Sequence, residues 1–198
     1  MPSPWNFASG SLIYKTSGPQ FTTVALKKTL TVRDHEGHLA NLEREQRIRV
    51  NYGSIPEIWC RSIYADGNMD NFNVDGKPVA ASDQVLSSGK VVEIRKRFPE
   101  AIFSGHDKTV KWSYDLHDSF PENHEALDHV VIPGTQTLEL IVVLPPDRRC
   151  IQAALHVLAG GEPIDQLEGP EISADRTTLR ALLRSPKSGH TLRLSWDW

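Results

Sequence analysis

The densest run of groups able to do chemistry is Asp115–His129, DLHDSFPENHEALDH. It places His117, His124 and His129 among Asp115, Asp118, Glu122, Glu125 and Asp128. Three imidazoles close to several carboxylates form a donor set for zinc or iron. A metal-dependent enzyme built on His117, His124 and His129 is therefore one reading. The spacing argues against it. HEALDH separates its histidines by five positions, whereas the HExxH helix needs four to bring both onto one face. The plainer reading is a solvated acidic loop with structural histidines, and several imidazoles titrating together would make it pH-responsive.

Other constellations are weaker. DGNMDNFNVDG, residues 66–76, places Asp66, Asn68 and Asp70 at the first three oxygen positions of a calcium loop. Its sixth position is Asn71 rather than Gly, and its twelfth is Lys77 rather than Glu. A cation where a bidentate carboxylate belongs excludes the site, and the run reads as Asx-rich hairpin turns. No GxxxxGK[ST], GxGxxG or GxSxG occurs. Cys60 and Cys150 each adjoin an arginine, Arg61 and Arg149, but two distant cysteines make neither a disulfide framework nor a zinc site. They are expected to be buried free thiols. No cofactor is called for.

The elements that must position these groups have a period of two. Phe21–Val32, Arg47–Tyr52, Ile55–Tyr64, Gly89–Phe98, Thr109–Leu116, Thr137–Leu144, Thr178–Arg184 and Thr191–Trp198 are β-branched, aromatic or alternating runs. Asp66–Gly67, Asp75–Gly76, Gly160–Gly161 and Ser188–Gly189 punctuate them with residues that accept a positive φ. His38–Arg47 reads as a short helix or half of a hairpin. Ala80–Leu86 and Glu122–Leu127 each read as one or two helical turns. The fold expected is an all-β, Ig-like antiparallel β-sandwich of about ten short strands, with at most one or two short helices. It forms a single domain over 1–198, with a sub-boundary near 121–133, and its two sheets share strands from both sides. Trp59, Trp112 and Trp196 fall in strands and are expected in the core. Trp196 and Trp198 point the same way from one strand, so one of them is a candidate rim residue.

Charge narrows the partners. The chain has 198 residues, 39% hydrophobic and 24% charged, and a net charge of −3. Residues 112–147 hold seven acidic side chains and no Lys or Arg. Such a segment repels phosphates and favours a basic partner surface. The basic run Arg95–Lys96–Arg97 and the trio Arg44, Arg47 and Arg49 read as solvated strand faces, so no nucleic acid is expected. No apolar run approaches the roughly 20 residues of a membrane helix. The start of the chain, MPSPWNFASGSL, lacks a basic and apolar leader. The expected location is cytoplasmic.

Two resemblances add to this. Tyr114-Asp-Leu116-His117-Asp-Ser119-Phe120-Pro121 resembles the strand-plus-loop signature of YEATS domains, an aromatic followed by LHxSF and Pro. Those domains are Ig-like sandwiches that read acylated lysine. The resemblance implies a loop pocket lined by His117, Ser119 and Phe120. More broadly, LELIVVLPPDRRC at 138–150, Gly160–Gly161, Ser185–Pro186 and the WxW of Trp196 and Trp198 are similar to uncharacterised bacterial β-sandwich accessory modules. Some of those sit in signalling or defence-type multidomain proteins, which implies an interaction or regulatory role.

The leading functional expectation is a non-enzymatic module that binds another protein or domain with a basic contact surface. Its candidate contacts are His117, Ser119, Phe120, Glu122, Glu125, Trp196 and Trp198. The alternatives are a ligand or acyl-lysine-type peptide binder at 117–120, and the metal enzyme of His117, His124 and His129.

Overall fold

The computed structural model describes residues 19–61, 63, 65–87 and 90–198. The segment MPSPWNFASGSL with Trp5, residue Tyr64, and Ser88 and Gly89 of the turn expected at Ser87–Gly89 lie outside these residues. Fifteen strands follow in order: β1 (Phe21–Val32), β2 (Leu39–Val50), β3 (Ser54–Cys60), β4 (Asn68–Val74), β5 (Lys77–Pro78), β6 (Gln84–Ser87), β7 (Lys90–Phe103), β8 (Asp107–His117), β9 (His124–Val130), β10 (Thr137–Val143), β11 (Gln152–Ala159), β12 (Glu162–Gln166), β13 (Glu171–Ile172), β14 (Thr178–Arg184) and β15 (Thr191–Asp197). Among the described residues the helical content is a single 3-10 turn, Ala81–Asp83.

The strands form an eight-stranded sheet, β13-β14-β10-β1-β2-β8-β4-β5, a four-stranded sheet, β12-β11-β15-β9, and a three-stranded sheet, β3-β7-β6. The fold is all-β, as the periodicity predicts, but it uses three sheets rather than two. One pair, β1 with β10, is parallel. That pair joins the parts before and after 121–133 inside one sheet. The inner face of the large sheet carries Leu26 and Leu30 from β1, Leu42 and Ile48 from β2, Trp112 from β8 and Leu140 from β10. The smaller sheets add Ile58, Ile94, Leu127, Leu194 and Trp196 to the same cluster. Alternation alone produces this, since successive side chains of a strand leave opposite faces.

Several sequence expectations change. Of the two helical readings, Glu122–Leu127 gives way to strand, most of it entering β9, while Ala80–Leu86 keeps one 3-10 turn, Ala81–Asp83, before β6 takes over. β9 is short and polar, and its extended form comes from pairing with β15 over Thr191–Asp197. His38–Arg47 takes the hairpin option, pairing with β1. The Asx-rich run keeps its hairpin turn at Asp75–Gly76, which joins β4 to β5, but Asn68–Val74 before it is strand, and Asn71 and Asp75 hold φ of 51°. Arg44 departs from the solvated face assigned to the arginine trio. It points inward, while Arg47 and Arg49 stay outside with Asp107. Trp112 and Trp196 are core residues, 1% exposed. Trp59 is half-buried, beneath the Arg95 guanidinium at 5.1 Å.

Candidate functional site

The turn leaving β8 is clamped on two sides. Asp118 has φ 54°, which a short Asx side chain tolerates. Its N–H donates to the His38 carbonyl at 2.8 Å, and the Phe120 N–H donates to the Gly37 carbonyl at 3.1 Å. A Cβ on Gly37 would stand 1.7 Å from the Phe120 carbonyl oxygen, and one on Gly67 would stand 1.8 Å from that of His117. Both glycines are there because backbone passes against backbone. Ser119 and Phe120 are each 7% exposed, and the Ser119 hydroxyl donates to the His117 carbonyl at 3.2 Å. His117 stays at the surface, 3.0 Å from the Asp70 carboxylate. That hydrogen bond holds its imidazolium above the ordinary histidine range. Ser119 and Phe120 are therefore turned into the protein. A shallow open depression on the large sheet lies elsewhere, lined by Lys27, Thr29, Glu43 and Glu45.

Phe120 starts an aromatic ladder. Its ring lies 6.1 Å from that of Trp196, and Trp196 meets Trp198 edge-to-face at 6.0 Å and 88°. The Arg148 guanidinium covers the Trp198 ring at 3.5 Å. Hydrogen bonds lock this end. Arg148 donates to the carbonyls of His35 at 2.9 Å and Glu122 at 2.8 Å. The Trp198 indole donates to the same Glu122 oxygen at 2.6 Å, and its backbone N–H donates to Asn123. Glu125, paired in register with Trp196, accepts the Glu122 N–H at 2.7 Å. Burial pushes the Glu125 carboxyl above its usual range. Five expected contact residues thus meet in one patch: Phe120, Glu122, Glu125, Trp196 and Trp198. Trp196 is core, while half-buried Trp198 and exposed Glu122 form the rim.

The three histidines proposed as metal ligands do not meet. His124 and His129 lie five residues apart on β9, so they leave opposite faces about 17 Å apart along the strand. His117 belongs to a different sheet. Each has its own surroundings: His117 bonds Asp70, His124 bonds Asp197 at 2.5 Å, and His129 is buried. Among the described residues no group of three His, Cys, Asp or Glu is gathered that could hold a metal ion.

The acidic segment is also matched from within. Asp115 faces Arg33 at 3.7 Å, Asp118 bonds His38 at 2.6 Å, Asp128 takes a bidentate bond from Arg193 at 2.8 and 2.7 Å, and Glu139 bonds Arg180 at 2.6 Å. Among the described residues no ion pair engages the exposed Glu122 carboxylate. Sequence reading missed Arg148, which gathers the patch. Nothing local marks it, because it arrives from the PPDRR turn and its partners lie tens of residues away.

No protein-family model and no curated protein matches the chain. Among solved structures, it is similar to an M1 zinc metallopeptidase from Deinococcus radiodurans, with 13% identity over 88% of this chain and a TM-score of 0.46. It is also similar to a Legionella pneumophila aminopeptidase A in complex with aspartic acid, with 8% identity over 91% of this chain and a TM-score of 0.48. The chain spans 42% of the length of the first and 22% of the second.

Proposed function

We propose that the chain is a non-enzymatic β-sandwich module that docks another protein or domain, in a regulatory or scaffolding role, and presents the Trp198–Glu122 rim to a basic contact surface. The observation that carries this reading is the convergence of Phe120, Trp196, Trp198 and Arg148 around the Glu122 carbonyl. A half-exposed aromatic held rigid beside an unpaired carboxylate suits a contact, because little side-chain freedom remains to be lost on binding. Glu122 and Glu125 are the carboxylates of the segment without an ion pair among the described residues, and Glu122 is the exposed one, so the electrostatic part of that contact is assigned to Glu122. The direct test is to isolate the tagged protein from its own cells under native conditions. A stoichiometric partner is expected, lost on Glu122→Lys with folding unchanged. A chain that runs alone, or a complex indifferent to Glu122→Lys, contradicts the reading.

A further inference from the structure

Alternation leaves two basic side chains where the pattern calls for apolar ones. The core-facing residues of β1 include Leu26, Lys28, Leu30 and Val32, and those of β2 include Leu42, Arg44, Gln46 and Ile48. Lys28 and Arg44 are direct register partners. They sit in a row that crosses the large sheet as Ala181, Leu140, Lys28, Arg44, Trp112 and Val74, and the other members are all apolar. Like charges directly opposite each other weaken a strand pair. The edge of the four-stranded sheet lies against them. The Lys28 ammonium donates to the Asp128 carbonyl at 2.7 Å, and the next residue, His129, is 6% exposed.

The hydrogen bonds of this cluster are incomplete. Arg44 donates to the Cys60 thiol at 3.5 Å and to Gln46 at 2.9 Å, and Gln46 donates to Thr23 at 3.0 Å. Arg44 Nε and His129 Nε2 are buried with no hydrogen-bond partner. Buried polar atoms are rarely left so, and each one requires an account. The nearby carboxylate, Asp128, is held by both arms of Arg193. Burial and the Arg44 charge bring the Lys28 ammonium down to about 8, and burial with Lys28 and Arg44 holds His129 well below the histidine range. Lys28 and Arg44 each keep part of the side chain exposed, while Arg44 Nε and His129 Nε2 themselves are enclosed.

We infer that Lys28, Arg44 and His129 form a binding site for a small oxyanion, a carboxylate or a phosphate, where the inward face of β1 and β2 meets β9. The anion supplies the countercharge for the Lys28–Arg44 pair, and it accepts from Arg44 Nε and from the Nε2–H tautomer of neutral His129. This site is independent of the Trp198–Glu122 rim.

Thermal unfolding of the whole chain tests it, in millimolar sodium phosphate or sodium acetate against sodium chloride of equal ionic strength at pH 7. A rise in Tm that grows with the logarithm of anion concentration above Kd is expected, about 5–10 °C at a hundredfold excess over Kd. A rise with phosphate alone assigns the phosphoryl class, and a rise with acetate assigns the carboxylate class. Lys28→Met removes the like-charge pair, so it raises Tm in chloride and abolishes the anion-specific rise. Arg44→Met gives the same readout if Lys28→Met does not fold. No rise beyond chloride with either anion, or a full rise retained in the folded variant, overturns the site.

Discussion

The Arg148 guanidinium lies 3.5 Å above the ring of Trp198 while donating to the carbonyl of Glu122, the oxygen that also accepts the Trp198 indole N–H. One cation therefore ties the PPDRR turn, the loop after β8 and the end of β15 together. Its planar fork can stack on the ring and reach two carbonyls at once, which a lysine ammonium cannot. Arg148→Lys is expected to lose about 1–2 kcal/mol in urea unfolding, close to the loss in Arg148→Ala. Trp196→Ala, which empties a fully buried site, should lose about 3–5 kcal/mol. Wild-type stability in Arg148→Lys would show that the fork does not matter.

Gly67 makes the sharper backbone test. A methyl group there meets the His117 carbonyl oxygen, which belongs to a clamped turn and cannot swing aside. Gly67→Ala should cost more than about 2 kcal/mol. Gly105→Ala is the control, since its φ is +84° but its surroundings are open, and it should cost about 1 kcal/mol from backbone conformation alone. Equal losses in the two variants would contradict the close approach.

The histidines should give pH dependences of opposite sign. His117 is held above 6.5 by its hydrogen bond to Asp70. Its contribution is complete below 6.5 and fades as pH rises through its raised folded value. His129 is held well below 6.5, first by burial and then by Lys28 and Arg44. It must stay neutral in the fold, so stability falls as pH drops below 6.5. Ring-proton NMR should place the His117 midpoint above 6.5, and Asp70→Asn should lower it. His129 should remain neutral at pH 6, and a midpoint at or above 6.5 would refute its assigned surroundings.

Metal dependence is a separate matter. With His124 and His129 on opposite faces of β9, a chelator should leave Tm unchanged, and elemental analysis should find no stoichiometric zinc or iron. A bound metal lost together with stability would restore the histidine cluster.

The legible strands were those with a strong pattern of their own. Val110, Trp112, Tyr114 and Leu116 alternate through β8, and Leu138, Leu140 and Val142 do so through β10, so both could be read locally. β9 and β4 could not. His124–Val130 holds Ala, Glu and Leu, which favour helix, and Asn68–Val74 is rich in Asn and Asp. Each is extended because a neighbouring strand supplies its hydrogen bonds. The same limit applies to the site. The shared direction of Trp196 and Trp198 follows from a period of two, and so does the separation of His124 from His129. Arg148 over Trp198 is a tertiary contact with no periodic signature. Lys28 carries a weak one, as a charge at an inward position between Leu26 and Leu30.

The affinity of the native partner for the wild-type chain and for Trp198→Ala, measured at low and at physiological salt, tests docking through the rim most directly. A weakening of at least tenfold is expected in Trp198→Ala, with β-structure unchanged by circular dichroism. The neutral Glu122→Gln should remove the salt dependence of the wild-type affinity. Equal affinities for wild type and Trp198→Ala at both salt concentrations would place the contact elsewhere on the molecule and contradict the account.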